Sequence, residues 1–333
     1  MYNSIVKGIG HYVPEKIVTN DDLAKIMDTS DEWITERTGI KERRYFDPKK
    51  DTVQSMGAEA SRIALDRAGL KPEDVDMIVF ATLSPHYYFP GSGVLMQREL
   101  GIPAGVPSLD VRNACSGFMY SLSVADQFIK TGMYKTVLVV GSEIHSSGLD
   151  KTTRGRNVAV IFGDGAGAAV LQRSEEKGRG ILSTHLHADG NFAEELCIKQ
   201  PSSANEVWMN HDIVDHPDSR PYMNGNLVFK HAVVRFLEVI GEALKANQMT
   251  SEDINLLIPH QANLRISEFV RMKLKLAEGM VFNNIMKYGN TTAASIPIAL
   301  SEAWEQGKIK EGDTICLAAF GSGFTWASAL IKW

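Results

Sequence analysis

Short apolar runs alternate with longer amphipathic stretches along the whole chain. The runs predict buried strands, because a strand covered on both faces of a sheet reads as continuously apolar. The longest amphipathic stretch, 52–68, repeats its apolar side chains at helical spacing and is followed by Gly69, a residue typical of helix C-termini. Strands that alternate with helices indicate a layered α/β fold. Strands are predicted at 78–81, 137–140, 158–162, 256–258 and 315–319.

Two shorter helices are predicted near the N-terminus, over 21–27 and 31–38. Asn20 and Ser30 are suitable N-caps, because their side-chain oxygens can accept hydrogen bonds from the first free amides of a helix. Gly39 is expected to end the second helix.

One sequence pattern occurs twice. Residues 64–79 match residues 243–258 at a fixed offset, and each stretch reads as helix, turn and buried strand. Cys115 and Asn290 each precede a helical pattern that ends in glycine, so we expect them at equivalent places. The alternative, that any two helix–strand units look alike, stays open. The repeats predict two α/β halves, residues 1–175 carrying Cys115 and residues 176–333 carrying His260 and Asn290.

Composition restricts the classes of function. Of the 333 residues, 44% are hydrophobic and 23% charged, which is typical of a globular chain and excludes a disordered or coiled-coil protein. The formal net charge of -5 argues against nucleic-acid binding. The three dispersed cysteines form neither a disulfide framework nor a zinc module, and they suit a reducing compartment. No apolar run approaches the roughly 18 residues of a membrane span, and the N-terminus does not resemble a signal peptide, so a cytoplasmic protein without membrane contact is expected.

Cys115 is the first candidate for chemistry. It lies between an extended stretch and the helical pattern 116–131, so the positive end of the helix dipole is expected to lower the pKa of its thiol. Its small neighbours Ala114, Ser116 and Gly117 leave space for an approaching carbonyl group. The alternative is a buried apolar filler, the commonest role of a lone cysteine.

His260 and Asn290 are the polar residues that suit a cysteine nucleophile. His260 follows the strand predicted at 256–258, and α/β proteins place their sites at such carboxyl ends. In acyl transfer a thiolate attacks a thioester, while neutral side chains donate hydrogen bonds to the developing oxyanion. Taken singly, a capping or core role explains each residue as well.

Two glycine-rich segments and one polar segment are further candidates for binding a ligand. Residues 163–168 have the letters of a dinucleotide fingerprint, but no helix is predicted after them, so a tight turn between strands is favoured. Gly321-Ser-Gly323 separates two strand patterns, and its amides can face a ligand. No cluster of His, Cys or carboxylate residues has metal-ligand spacing. The polar segment 189–222 reads equally as a functional loop or a solvated insertion.

Several separated motifs together resemble the β-ketoacyl-acyl carrier protein synthase III family of thiolase-like condensing enzymes. The resemblance extends over nearly the whole chain. It implies a duplicated fold of two halves in five α/β/α/β/α layers, and no permanently bound cofactor. The thiolases use a second cysteine near the C-terminus, but Cys316 lies short of the Gly321 loop and is expected in the core. The motifs are 28–43 (DTSDEWITERTGIKER), 113–117 (NACSG), 162–170 (FGDGAGAAV), 259–266 (PHQANLRI), 289–297 (GNTTAASIP) and 321–330 (GSGFTWASAL).

The resemblance implies roles for the candidate residues. Cys115 would be the nucleophile acylated by acyl-CoA, and its amide and that of Gly323 would form the oxyanion hole. His260 and Asn290 would bind the malonyl thioester oxygen and stabilise the enolate left when carbon dioxide departs. Binding of CoA and its pantetheine arm would fall to Trp33, Arg37, Gly225, Asn226, Phe229, Asn263 and either Arg156, which aligns without a gap, or Arg154.

The resemblance also implies partners. Acyl carrier proteins are acidic, so a basic rim of Lys230, Arg265, Arg271 and Lys273 would steer one to the site. For Arg271 and Lys273 a solvated helix face is an equal alternative. The protein would be a homodimer in which an aromatic side chain of one subunit closes the acyl pocket of the other. Phe89, beside the bulky Tyr88, occupies that position.

The implied reaction is the decarboxylative condensation of an acyl-CoA primer with malonyl-acyl carrier protein, which initiates fatty acid synthesis. The alternative within the family is a specialised synthase that uses long-chain or aromatic acyl thioesters in secondary metabolism. Other classes also stay open, namely a thioester-binding scaffold with a silent site and a nucleotide-dependent oxidoreductase. The bulky loop 84–93 and the insertion at 189–222 leave the acyl group undetermined.

Overall fold

The computed structural model describes residues 2–333; Met1, the first residue of the predicted first half, lies outside that range. The strands are β1 Asn3–Tyr12, β2 Lys16–Thr19, β3 Glu42–Tyr45, β4 Met77–Ala81, β5 Ser108–Val111, β6 Thr136–Glu143, β7 Gly165–Ser174, β8 Gly180–Ala188, β9 Leu196–Cys197, β10 Tyr222–Met223, β11 Leu256–Pro259, β12 Thr314–Gly321 and β13 Thr325–Lys332. The helices are α1 Asn20–Ala24, α2 Asp31–Thr38, α3 Val53–Ala68, α4 Ser92–Leu100, α5 Gly117–Lys130, α6 Arg156–Ala159, α7 His211–Asp215, α8 Gly225–Ala246, α9 Leu264–Lys273, α10 Ile285–Tyr288 and α11 Ser295–Glu305.

Two large sheets repeat the same strand order. The first runs β1-β7-β6-β4-β5, and the second runs β8-β13-β12-β11. In the second sheet Val281 bridges Leu257 of β11 in parallel, at the position that β5 occupies beside β4. Both sheets therefore combine a parallel core with antiparallel strands toward one edge.

Helices cover both sheets on both faces. The outer face of the first sheet packs against α3 and α4, and the outer face of the second packs against α8 and α9. Between the sheets lie α5 and α11, whose apolar side chains join residues of both sheets in one cluster. This is the duplicated five-layer α/β/α/β/α arrangement expected from the sequence, and Cys316 is fully buried in it, as predicted.

The repeat found in the sequence is present in the structure, with one correction. The 3-10 turns Pro72–Asp74 and Ser251–Asp253 each join a long helix to a buried parallel strand. However, Cys115 and Asn290 are not equivalent. The turn Ala114–Ser116 that begins α5 matches the turn Thr292–Ala294 that begins α11, and each opens on a residue with positive φ, 46° at Ala114 and 52° at Thr292. Ala293 is thus the counterpart of Cys115, and the matching glycine ends misled the sequence comparison because α11 is shorter than α5.

The two N-terminal helices lie where they were predicted, but α1 ends at Ala24 rather than at residue 27, and one cap differs. Ser30 caps α2, and Gly39 ends it with φ 78°. The cap of α1 is Thr19, which forms a reciprocal capping box with Asp22. Asn20 is instead buried, and its amide donates to the Ile40 carbonyl at 2.7 Å. A cap requires only a side-chain oxygen beside free amides, so adjacent Thr and Asn are not distinguished by sequence.

The strand predicted at 158–162 is wrong. Residues Arg156–Ala159 form a short helix, and the chain then turns so that Phe162 makes only an isolated bridge with Asn290. The run is apolar because Ala159 and Val160 pack into the cluster beneath α1 and α2, and short apolar runs do not distinguish strand from buried helix. The glycine segment after it enters β7 directly, so the helix that a dinucleotide fingerprint requires is missing.

No helix between residues 2 and 333 is long and apolar enough to cross a membrane.

Candidate active site

Cys115 lies in the turn between β5 and α5, at the junction of the two sheets. Its turn is tied to the hairpin between β12 and β13, since the hydroxyls of Ser116 and Thr325 are 2.6 Å apart. Gly321, the last residue of β12, faces the cysteine so closely that a Cβ there would lie 2.6 Å from the Cβ of Cys115. Position 321 therefore needs glycine because the side chain of Cys115 occupies the space that a Cβ would take, and not because of the backbone conformation of residue 321.

The pKa prediction for Cys115 is wrong. The side chain is only 6% exposed, and burial together with the charge of Glu143 raises its pKa to about 12. The backbone N–H groups of Cys115 and Ser322 oppose this rise without overcoming it. The resting residue is thus a neutral thiol at physiological pH, and its reactivity has to come from the oxygen-binding groups around it rather than from a standing thiolate.

His260 directly follows β11, and its backbone N–H donates to the carbonyl of Ala318 on the neighbouring strand β12, at 2.8 Å. Its Nδ1 lies 2.6 Å from the hydroxyl of Ser295, the first residue of α11. Its Nε2 is buried and has no hydrogen-bond partner within residues 2–333. Burial lowers the pKa of His260 to about 3, so the imidazole is neutral. When the Ser295 hydroxyl donates to Nδ1, the proton resides on Nε2, which is then a free donor.

Asn290 is held by hydrogen bonds of its backbone and of its side-chain oxygen. Its N–H donates to Ile161, and its carbonyl accepts from Gly163, which joins it to the end of the short helix α6. Its side-chain Oδ1 accepts a 2.8 Å hydrogen bond from the N–H of Thr292. The Nδ2 donor of the amide is consequently the free end, as required of a group that binds a negatively charged oxygen.

The three candidates are brought to one region by the start of α11 and its preceding turn. Ser295 contacts His260, and Thr292 holds Asn290. The same turn packs on the start of α5 behind Cys115, where a Cβ on Gly117 would lie 3.4 Å from that of Ala293. A neutral thiol and two neutral donors thus meet where β11 and β12 end, which suits acyl transfer to sulfur.

A cavity of about 860 Å³ opens beside Cys115. His260 and Asn290 are not among the residues that line it, whereas Thr292, which holds Asn290, is. Part of its wall comes from the base of the polar segment 189–222, where β9 and β10 pair and the carbonyl of Leu196 accepts a hydrogen bond from Ser322. This segment is therefore a site element at its base.

Several lining residues were missed by the sequence reasoning. His145 and Ser147 follow β6, and Thr292 precedes α11. The signal for His145 was available, because polar residues just after a buried strand tend to face the site edge of a sheet. Leu196 and Cys197 had no such signal, since the fold of a long irregular segment is not encoded in a periodic pattern.

Three of the residues assigned to CoA, namely Trp33, Arg37 and Arg156, lie together. The guanidinium of Arg37 lies 4.5 Å, and that of Arg156 5.3 Å, from the centre of the Trp33 ring. Arg154 instead pairs with Asp150 at 2.6 Å. The structure therefore brings Arg156, rather than Arg154, to Trp33.

The remaining CoA candidates lie at the starts of α8 and α9. Asn263 caps α9 and donates to the carbonyl of Arg37 at 2.9 Å. Gly225 and Asn226 are exposed at the start of α8, one turn before Phe229. The guanidinium of Arg265 lies 5.7 Å from the Phe229 ring, which links α8 to α9.

The basic rim is less uniform than the sequence indicated. Lys230, Arg265 and Lys273 are exposed. Arg271 is only 19% exposed, pairs with Glu268 at 2.8 Å and donates to the carbonyl of Leu276. Its charge is therefore largely compensated within α9.

The aromatic residues assigned to the acyl pocket point away from it. Phe89 is 81% and Tyr88 66% exposed, and neither lines the cavity beside Cys115 of its own chain. The Tyr88 ring packs 5.2 Å from Trp208 of the polar segment. Together these side chains form an exposed apolar patch, which marks an interaction surface.

Comparisons with known proteins agree with this geometry. Residues 109–190 match the family model of 3-oxoacyl-[acyl-carrier-protein (ACP)] synthase III, and residues 244–333 match its C-terminal model. The beta-ketoacyl-[acyl-carrier-protein] synthase III of Caldanaerobacter subterraneus subsp. tengcongensis is 48% identical over 328 residues, 98% of this chain and 97% of that protein.

Solved structures give the same picture. The 3-oxoacyl-[acyl-carrier-protein] synthase III of Aquifex aeolicus VF5 superposes with a TM-score of 0.90 at 44% identity, covering 99% of this chain and 100% of that one. The priming beta-ketosynthase from the R1128 polyketide biosynthetic pathway superposes with a TM-score of 0.89 at 33% identity, covering 99% and 96%.

Proposed function

The chain belongs to the 3-oxoacyl-[acyl-carrier-protein] synthase III family, and from this premise we propose that Cys115, His260 and Asn290 carry out the chemistry of that family. The protein is a condensing acyltransferase of fatty acid synthesis. It joins an acyl-CoA to malonyl-acyl carrier protein and releases β-ketoacyl-acyl carrier protein, CoA and carbon dioxide.

Acylation comes first. The sulfur of Cys115 forms a bond to the thioester carbonyl carbon, the bond to the CoA sulfur breaks, and CoA leaves with the proton of the thiol. The charge that develops on the carbonyl oxygen is bound by the backbone amides of Cys115 and of the 321–323 loop. Within that loop Ser322 is preferred to the Gly323 implied by the resemblance, because it is the N–H of Ser322 that faces the sulfur of Cys115. Because burial keeps the thiol neutral, these amides supply the main stabilisation of this step, and one such donor is typically worth about 3 kcal/mol.

Decarboxylation follows when malonyl-acyl carrier protein replaces CoA. The bond to the carboxylate breaks, carbon dioxide leaves, and the electron pair moves to the thioester oxygen. Nε2–H of His260 and Nδ2–H of Asn290 donate to that oxygen. A histidine with a pKa of about 3 stays neutral throughout the physiological range, so it binds the enolate without transferring a proton to it.

Condensation closes the cycle. The enolate carbon attacks the acyl group on Cys115, the carbon–sulfur bond breaks, and the departing thiolate takes a proton from solvent. The raised pKa of Cys115 favours this last protonation and returns the enzyme to its resting thiol.

The observation that carries these roles is the buried, unpartnered Nε2 of the neutral His260. A buried polar atom without a partner is costly and needs a ligand to explain it. The test has two parts. Intact-protein mass after incubation with acyl-CoAs should show an adduct on the wild type and none on Cys115→Ser. His260→Ala should still be acylated but release no carbon dioxide from malonyl-acyl carrier protein; equal loss of acylation would contradict the assignment.

Binding roles follow the same placement. CoA stacks its adenine between Trp33 and Arg156, with Arg37 at the phosphates, and the pantetheine arm passes Gly225, Asn226, Phe229 and Asn263. The carrier protein docks on Lys230, Arg265 and Lys273, with Arg271 a minor contributor. Two α/β halves, residues 1–175 and 176–333, supply the nucleophile and the donors respectively.

The working enzyme is a homodimer in the cytoplasm. The exposed patch of Tyr88 and Phe89, next to the edge strand β5 with its 40% exposed Leu109, supports a second copy that covers it. In this dimer Phe89 of the partner subunit closes the acyl cavity, which the chain's own aromatics leave open. The three free cysteines suit a reducing compartment.

A specialised synthase of secondary metabolism is the second candidate. The roomy cavity beside Cys115 and the likeness to a polyketide priming enzyme favour it. Acylation rates across acyl-CoAs from acetyl to decanoyl and benzoyl separate the two: a preference for short primers supports initiation of fatty acid synthesis, whereas a preference for long or aromatic ones supports the specialised role.

A further inference from the structure

The cavity beside Cys115 has a polar wall that an alkyl chain does not need. His145, which follows β6, lines it together with Phe162, whose ring centre lies 5.1 Å from that of the imidazole. The Nε2 of His145 is 2.6 Å from the hydroxyl of Thr292, also a lining residue. The other ring nitrogen, Nδ1, makes no hydrogen bond within residues 2–333.

The surroundings of His145 keep its imidazole neutral, and only the Nε2 atom of the ring is hydrogen-bonded. An ionisable side chain lies close by, since the carboxyl of Glu143 is 3.9 Å from Nε2. That carboxyl accepts hydrogen bonds from the N–H of Leu83 and from the N–H and hydroxyl of Ser84, so it is occupied by the protein itself. Burial lowers the pKa of His145 to about 4 despite this neighbour. An acyl group in the cavity therefore meets an uncharged imidazole with a free nitrogen.

A hydroxyl group satisfies this nitrogen in either tautomer. If the Thr292 hydroxyl donates to Nε2, then Nδ1 carries the proton and donates to an oxygen; in the other tautomer Nδ1 accepts a hydrogen bond. A hydroxyl can both accept and donate. A plain alkyl chain would bury the nitrogen unpaired, and an acyl carboxylate would have to give up its hydration beside the buried carboxyl of Glu143.

We propose that His145 selects acyl-CoA primers that carry a neutral oxygen substituent, above all a hydroxyl group, over alkyl primers of the same length. The inference rests on the proposed function, because it assigns the primer class of that same site. His145 is here a specificity-determining residue that touches the acyl chain away from the reacting carbonyl. Sites that hydrogen-bond a substrate hydroxyl discriminate against the analogue that lacks it, because their own polar atom is then left unpaired.

The test compares primers that differ by one oxygen. Acylation of Cys115 is followed by intact-protein mass, and kcat/KM is measured for both enantiomers of 3-hydroxybutyryl-CoA, for butyryl-CoA and for succinyl-CoA. We expect one hydroxy enantiomer to exceed butyryl-CoA about tenfold, the effect of one net hydrogen bond, and succinyl-CoA to be the slowest. In His145→Leu the hydroxy-to-butyryl ratio should fall to about one or below, and in His145→Gln, which keeps a hydrogen-bonding group, part of it should remain.

Each contrary outcome has a distinct meaning. The proposal is overturned if the wild type has the same kcat/KM for butyryl-CoA as for both hydroxy enantiomers. A His145→Leu variant that slows all primers equally also overturns it, since that result makes His145 a structural support of the Thr292 turn. Acylation by butyryl-CoA with no hydroxyl preference leaves the proposed function standing, whereas absence of any adduct with all four thioesters overturns the proposed function itself.

Discussion

Replacing Gly321 with alanine should slow acylation of Cys115 about 100-fold while leaving the fold in place. The added Cβ would lie 2.6 Å from the Cβ of Cys115 and 3.0 Å from its backbone nitrogen. Carbon atoms in contact normally lie about 3.5–4.0 Å apart, so the cysteine turn or the hairpin has to move by about 1 Å.

A shift of that size should have a large effect on the rate of acylation and a moderate effect on the free energy of unfolding. Misplacing a reacting group by about 1 Å can lower a rate about 100-fold, and overpacking a tight contact destabilises a protein by about 1–3 kcal/mol. The assay is the single-turnover rate of adduct formation from acyl-CoA, followed by intact-protein mass. Thermal unfolding of the same variant reports the effect on stability.

Gly241→Ala is the matched control. Gly241 lies on the exposed face of α8, and a Cβ there would have no heavy atom within 4 Å. That variant should acylate at the wild-type rate and gain up to about 1 kcal/mol from helix propensity. If Gly321→Ala also acylates within about threefold of wild type, the close approach does not position the nucleophile and the reasoning is refuted.

Three further outcomes are expected. Arg156→Ala should raise the KM for acyl-CoA about tenfold and Arg154→Ala should not; equal effects would contradict the assignment of Arg156 to the adenine. Ser295→Ala should slow carbon dioxide release about tenfold, the effect of one net hydrogen bond, without an inflection near pH 6.5, because His260 is already neutral; slowed acylation instead would place the serine in the first step. Burial raises the pKa of Glu143 from 4.5 to about 7, so between these pH values the folded state binds more protons than the unfolded chain, and its stability should fall by about 2 kcal/mol between pH 5 and pH 7. Glu143→Gln should remove most of this decline in urea unfolding at pH 5 and 7, and an unchanged decline would assign it to other carboxyls.

Local signals predicted the layers and the polar ends of the strands. The runs 78–81 and 256–258 form the buried strands β4 and β11, as predicted, because a strand covered on both faces is recognisable from its own apolar side chains. The strand predicted at 158–162 was wrong because helix and strand bury short apolar runs alike.

The pKa of Cys115 and the wall of the cavity could not be predicted from local sequence, because both depend on segments that are distant along the chain. The helix position of Cys115 predicted a lowered pKa, yet the depth of burial, contributed by β12 and the hairpin after it, determines the opposite direction. The cavity wall shows the same limit, since it joins the end of β6, the start of α11 and the base of the 189–222 segment.

The central helical layer packs against both sheets at once, and this makes the two halves of the enzyme depend on each other for stability. Since α5 and α11 share one apolar cluster with strands of both sheets, neither half can lose the other without exposing that cluster to water. The nucleophile and the oxygen-binding groups are therefore held in place by the same packing that stabilises the whole protein. The outer wall of the cavity comes from loops at the rim. Descendants of this fold can consequently change which primer they admit by altering loops alone, while the reaction they perform stays the same.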